Sequence, residues 1–309
     1  MSILKKSILI SLPILSLLFG LLIGEDLSTG GGKNDFINHA LPVITDFSNF
    51  IFNTRHENTS HFPMHYILLS IPKAIFEDIL FVKLTYFIFS LLLPFLVYIN
   101  IYKLYPNQKF NASIVGLSIL FLPFYRASAF WPNAHLTALI FLLLANYFYI
   151  LSLNFKNFKY KFIVIFFLSL STYSMQSYVV FFIYYLFNYY KNEKLKAFVS
   201  ILFLCTIFSL PGIYLILETP TGNHDLNFTN NLSYTVITNF SITLFFLLFF
   251  ISNKDNFIKI KNFFIELNKY EILSFLFLFT IMIFNYENNF PFGGGFFYKF
   301  SNILFNNNY

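Results

Sequence analysis

The sequence predicts an all-α fold, a polytopic transmembrane helical bundle of about nine spans with juxtamembrane helices in its first outer loop. Three observations predict it. Hydrophobic residues make up 57% of the chain, aromatic ones 22% and charged ones only 11%, with 47 phenylalanines in 309 residues. That is more apolar surface than the polar groups of a soluble domain can cover. The apolar runs are long and lack the in-and-out alternation of a barrel strand. Lipid admits only helices or closed barrels, because every backbone polar group must be paired within the protein. Lysines, finally, recur in alternate connections between the runs, as they do in cytoplasmic loops.

The first span is Ile3 to Ile23, with Lys5 and Lys6 near its start. It is long for the apolar region of a signal peptide, and no small-x-small cleavage site precedes Glu25. It therefore reads as an uncleaved helix with its N-terminus in the cytoplasm. Residues 24–78 form the first outer loop, too long for a simple connection. Within it, Phe36, Ile37, Leu41, Ile44, Phe47, Phe50 and Ile51 recur three or four apart, which predicts an amphipathic helix on the membrane surface, opened by Asp35. Pro63 to Phe76 is apolar but short for a span, which predicts an interfacial or re-entrant helix. Further spans are expected near Ile79–Tyr102, Ser113–Tyr125, Leu136–Leu153, Phe162–Tyr173, Tyr178–Tyr189, Ala197–Leu217, Tyr234–Ile251 and Ile272–Phe284. An odd number of spans places the C-terminus outside. No internal repeat, flexible linker or soluble domain interrupts the series, so residues 1–309 read as one membrane domain.

The lysines test this order independently. One set of connections holds Lys103, Lys109, Lys156, Lys159, Lys161, Lys191, Lys194, Lys196, Lys254, Lys259, Lys261 and Lys269; with Lys5 and Lys6 that side carries fourteen of the twenty basic residues. By the positive-inside rule it is the cytoplasmic side. The other side receives all six histidines and ten of the fourteen acids, so titratable chemistry is concentrated outside. The net charge of +6 thus marks topology, and no nucleic-acid partner is implied. A lone cysteine, Cys205, excludes an intramolecular disulfide framework and a cysteine-rich metal site. A bias toward Phe, Ile, Asn and Lys points to an AT-rich bacterial origin, hence to the cytoplasmic membrane, and the side that receives the titratable groups is the one expected to carry the active site.

Residues 24–66 are the chemical centre of the chain, with five of the fourteen acids and four of the six histidines. Asp35 is either a first-turn acid favoured by the helix dipole or a general base held ionised near an acceptor hydroxyl. Glu25 and Asp26 leave the first span at the interface, as solvated end residues or as a second carboxylate pair facing the same cleft. Arg55, His56, His61 and His65 form a donor-rich group at headgroup level. Such groups suit an anionic phosphate, or simply snorkel to lipid headgroups. A divalent metal is the third alternative, since His61 and His65 lie one helical turn apart. The spacing of residues 56, 61 and 65 matches no compact ligand motif, however, so no metal ligands are assigned. Arg126 lies beside the single tryptophan, Trp131, and an arginine so close to hydrocarbon needs an outer acid or a ligand phosphate as partner. His39, Tyr66 and Gln176 complete the candidates as substrate contacts, with Gln176 equally readable as a turn residue.

Two motifs are set aside. Gly30-Gly31-Gly32-Lys33 lacks the glycine spacing and the following Ser or Thr of a phosphate loop. The Asn-x-Ser/Thr triplets at Asn58, Asn111, Asn227 and Asn231 carry little weight in a chain so rich in asparagine.

The order of first helix, outer loop with an acid opening a surface helix, basic residues, proline-aromatic helix and hairpin spans resembles the GT-C superfamily of membrane glycosyltransferases. Asp35-Phe36 looks like the acidic start of the first juxtamembrane helix in the protein mannosyltransferase and lipid A aminoarabinose transferase branches. Phe62-Pro63-Met64-His65-Tyr66 looks like their Pro-Pro-x-x-Tyr helix, with Arg55 and His56 in the region of their basic residue. Arg126 to His135, Gln176 and Phe292 to Tyr298 are similar to a bacterial subgroup near this superfamily. The family's acidic pair is here the lone Asp35, and its doubled proline is single. The chain is also shorter than is usual, which makes it a short member or one lacking later helices.

The resemblance implies a polyprenyl-phosphate sugar as donor, an extracytoplasmic lipid, glycan or protein as acceptor, and membrane lipids as surroundings. Asp35 would take the acceptor's proton during inverting attack on the anomeric carbon, with Asp26 and Glu25 as further candidate carboxylates. Arg55, His56, His61, His65 and Arg126 would hold the donor phosphate. No nucleotide site is required. The competing class is a flippase, permease or surface-polysaccharide polymerase, which also handles lipid-linked sugars. A transporter would carry ionisable residues in mid-span, whereas the polar groups here crowd one side.

Overall fold

The computed structural model describes residues 3–26, 31–47, 63–155, 157–218 and 273. The chain divides into two compact units, 1–222 with 294–309 and 223–293, and every described residue except Leu273 belongs to the first. The expected spans Tyr234–Ile251 and Ile272–Phe284 and the motif Phe292 to Tyr298 lie outside the described residues, as do Arg55, His56 and His61.

Every described element is helical. The first, α1, is Ile3–Leu22. It ends in a turn where Gly24 adopts a left-handed backbone, φ 64°, which glycine takes at little cost. In the loop, α2 (Gly31–Asp35) runs through a π-helical turn, Phe36–Ala40, into α3 (Leu41–Thr45). Pro42, in the first turn of α3, has no N–H to return to the preceding turn, and a π turn is one way to absorb that loss. The surface helix therefore begins at Gly31, before the position expected from sequence, and Asp35 lies within it at φ −60°, ψ −43°, capping nothing. Two glycines cost such a helix about 1 kcal/mol each. Packing of its Phe36 against Trp131, with ring centroids 6.2 Å apart, works in the opposite direction.

Helix α4, Met64–Phe76, fulfils the expectation of a short apolar helix after Pro63. It stops at Glu77, whose left-handed backbone (φ 56°) lets its N–H reach the Lys73 carbonyl at 2.9 Å. Asp78 caps the next helix, its Oδ1 accepting from the Leu80 N–H at 2.9 Å. Helices α5 (Ile79–Ser90) and α6 (Leu92–Leu104) run on as one apolar length of 26 residues. Helix α7, Lys109–Ser118, leads through a single 3-10 turn to α8, Pro123–Phe130, which is turned by 62°. The cause is Pro123: it gives no N–H and holds Leu122 extended at ψ 126°. The series closes with α9 (Ala134–Phe155), α10 (Phe158–Ser174), α11 (Val180–Asn192) and α12 (Leu195–Glu218).

Among the described residues three helices are long and apolar enough to cross a membrane, Ile79–Leu104, Ala134–Phe155 and Leu195–Leu215, with a fourth if the bent pair Pro106–Phe121 and Pro123–Phe130 counts as one span. That is fewer full-length spans than the sequence predicts for the same stretch. Helices α10 and α11, with 17 and 13 residues, fall short of the roughly 20 needed to cross unaided. Outward faces are nonetheless apolar: Phe19, Ile88, Ile183 and Phe203 are all exposed, a surface compatible with a membrane protein.

Successive helices pack as hairpins. Ser171 of α10 donates to the Ala138 carbonyl of α9 at 2.8 Å, and Phe148 stacks on Phe167 at 5.7 Å. Polar side chains stitch α6, α9 and α11: Asn100 Nδ2 donates to the Leu143 carbonyl at 3.1 Å, Asn146 Nδ2 to Asn100 Oδ1 at 3.1 Å, and the Tyr185 hydroxyl to Asn146 Oδ1 at 3.2 Å. The hairpin order separates two ends. One joins the turns at 105–108, 157 and 193–194 and holds the Lys161–Glu193 ion pair; the other holds the end of α1, the loop helices and Trp131.

Candidate functional site

The bend at Pro123 lays α8 into the packing, with Tyr125 to Phe130 all buried. Arg126 is thereby carried to α1. Its Nε donates to Glu25 Oε1 at 2.8 Å and one Nη donates to Glu25 Oε2. The remaining donors reach the Ser16 carbonyl at 2.9 Å, Ser16 Oγ at 3.2 Å and the Leu120 carbonyl at 3.3 Å. All five guanidinium N–H groups are thus matched, with side chains only 8% (Arg126) and 15% (Glu25) exposed. Gly20 makes the approach possible, since a Cβ there would overlap Glu25 Oε2, an Arg126 Nη and the Phe130 ring.

At the end of α8, Trp131 turns extended (φ −120°, ψ 101°) and becomes the hub of this end of the bundle. Phe36 packs on it, and two ammonium groups face its ring: Lys83 Nζ at 3.4 Å from the centroid and Lys33 Nζ at 5.7 Å. Lys33 also donates its backbone N–H to Asp26 Oδ2 at 2.8 Å, which ties the end of α1 to α2. The Trp131 Nε1 is buried and meets no acceptor among the described residues.

Beneath lies a buried polar network. His65 Nδ1 meets Thr137 Oγ1 at 2.8 Å, and the Tyr86 hydroxyl donates to the Asn133 carbonyl at 2.7 Å while lying 3.0 Å from the same Thr137 oxygen. The His65 ring packs edge-on to Tyr66 and Tyr86, with centroids 5.5 and 5.7 Å away.

These placements sort the sequence candidates. Arg126, expected to need an outer acid or a ligand phosphate, has the acid: it pairs with Glu25, a candidate carboxylate, and its other donors are taken by Ser16 and the Leu120 carbonyl. His65 and Tyr66, each 2% exposed, belong to the core and not to a donor-rich surface; α4 sets His65 against Thr137 of α9 and Tyr86 of α5. Asp35 is exposed and forms no hydrogen bond or ion pair among the described residues, and His39 is exposed on the same helical stretch. Asp26 is half-buried beside Lys33. Gln176 opens the 3-10 turn between α10 and α11 and is half-buried. Among the described residues no group of three or more His, Cys, Asp or Glu is placed to hold a metal ion. Lys33 and Lys83 are the residues that sequence reasoning passed over. Lys33 was discounted with its glycine run; Lys83 carried a usable signal as the one charge inside the apolar run Ile79–Ser90. Compared with known proteins, the chain matches no family model, no curated protein and no solved structure.

Proposed function

We propose that the protein is a membrane glycosyltransferase that moves a sugar from a polyprenyl-phosphate donor to an extracytoplasmic lipid, glycan or protein acceptor. The observation that carries this reading is Asp35: an exposed carboxylate without a partner among the described residues, on a loop helix fixed to the bundle through Phe36 and Trp131. A general base needs this combination of an open acceptor oxygen and a rigid mount. On this reading the bundle has about nine spans with lysine-rich turns in the cytoplasm, and the Trp131 end faces outward. The donor's chain lies among lipid-facing helices and its phosphate at the interface, where Arg55, His56 and His61 supply donors. Asp35 takes the proton from the acceptor hydroxyl as the oxygen attacks the anomeric carbon. The C–O bond to phosphate breaks with inversion, and the electron pair leaves on the phosphate oxygen. Asp26, held by the Lys33 N–H, is the second carboxylate of this face; Glu25 takes no part because Arg126 occupies it.

Sugar transfer from radiolabelled polyprenyl-phosphate sugars, measured in membranes carrying the intact chain or Asp35→Asn at matched expression, tests the reading. Loss of transfer in the variant is the expected outcome. Transfer that survives assigns the base to Asp26. No transfer by the folded wild type from a broad donor panel overturns the proposal.

A further inference from the structure

Two lysines from separate elements converge on the only tryptophan of the chain. Lys83 stands in the second turn of α5, where every other residue from Ile79 to Ser90 is uncharged. Its ammonium lies 3.4 Å from the Trp131 ring centroid, that of Lys33 lies 5.7 Å away, and the two act on each other electrostatically. Neither forms an ion pair among the described residues. Of the nearby acids, Glu25 is engaged by the Arg126 side chain and Asp26 Oδ2 by the Lys33 backbone N–H, while Asp35, two residues beyond Lys33, forms no ion pair with either lysine among the described residues. The buried indole N–H of Trp131 meets no acceptor among the described residues. An aromatic face attracts a cation but does not neutralise two, and like charges gathered near an apolar helix repel unless an anion joins them.

We propose that Lys33, Lys83 and Trp131 form a binding site for a phosphate oxyanion. The two ammonium groups, gathered at the Trp131 ring, hold its charged oxygens. A phosphomonoester carries close to two negative charges at neutral pH, which matches two lysines where a carboxylate matches one. Lysine suits the role because its ammonium is a compact charge on a flexible stem and can leave the ring to follow the anion. The inference goes beyond sugar transfer: the site takes a phosphate from a lipid headgroup or from solution, whatever chemistry follows.

Trp131 reports on its own site, since its emission is the only tryptophan signal of the chain. The intact protein, reconstituted in phosphatidylcholine vesicles, is titrated with inorganic phosphate. In parallel it is placed in vesicles of phosphatidylcholine and phosphatidic acid in equal parts, and in matched vesicles with oleate as a carboxylate control. A saturable change in Trp131 emission with phosphate or phosphatidic acid, and not with oleate, is expected. A response to both identifies the phosphate group itself as the ligand, and a response to phosphatidic acid alone identifies a lipid headgroup. Lys83→Gln and Lys33→Gln are each expected to weaken the response by roughly tenfold or more, the worth of one charge-assisted hydrogen bond. Lys83→Arg keeps the charge and should keep binding, which separates loss of the ligand from loss of the fold. No response to either phosphate probe, an equal response to oleate, or an unchanged midpoint in the Lys33→Gln/Lys83→Gln double variant overturns the proposal.

Discussion

Glu25→Gln is the most informative single change in this molecule, because it removes one charge from a buried pair and little else. In the native structure Glu25 accepts two of the five Arg126 donors, while Ser16 and the Leu120 carbonyl take the others. Both side chains are largely buried, at 8% and 15% exposure, so solvent screens the pair little. Glutamine keeps the size and one acceptor oxygen but leaves the guanidinium charge uncompensated. Breaking a buried pair from one side costs about 3–5 kcal/mol, against about 0–1 kcal/mol for an exposed one. For a unit of this size that corresponds to a loss on the order of 10 °C in Tm. The assay is thermal unfolding of the purified chain in detergent, read by recovery of the monodisperse peak on size exclusion. The companion variant Glu25→Gln/Arg126→Met removes both charges, and its expected loss is within about 2 kcal/mol of wild type, since an apolar replacement of a buried pair is often near neutral. A single variant as stable as wild type, or a double variant no better than the single, would refute the reasoning.

Two further changes have worked expectations. Gly20→Ala, which in an ordinary helix gains up to about 1 kcal/mol, is expected to lower Tm here, because the added methyl overlaps the Glu25–Arg126 pair and Phe130; the same size-exclusion series reads it. Tyr173→Phe removes a hydroxyl that accepts from the Gly212 N–H at 2.9 Å and donates to the Phe208 carbonyl, just where Pro211 interrupts α12. The expected cost is about 1–3 kcal/mol, with faster amide exchange at Gly212 as the local sign.

The candidate site was only partly legible in the sequence, for reasons that differ from residue to residue. That Arg126 needs a partner follows from its apolar surroundings; that the partner is Glu25, 101 positions away, does not, because a chain listing carries no distances. Asp35 was marked by its place in a polar loop, yet its helix begins at Gly31, because contact with Trp131 favours a helix where glycine alone disfavours one. His65 and His39 look alike in the sequence. One is buried against Thr137 and the other exposed, a difference decided by which face of each helix meets the bundle. Lys83 was visible as a charge in an apolar run, but its convergence with Lys33 was not.

By itself the sequence determined the secondary structure class of this protein and the apolar character of its helices, since composition and the length of apolar runs are set without reference to any neighbour. It also determined where charge falls along the chain. The tertiary structure alone decided which charges cancel. The bend at Pro123 sets Arg126 against Glu25 and turns Trp131 toward Lys33 and Lys83. Electrostatic energy depends on separation and burial, and both arise only once distant segments of the chain are brought together.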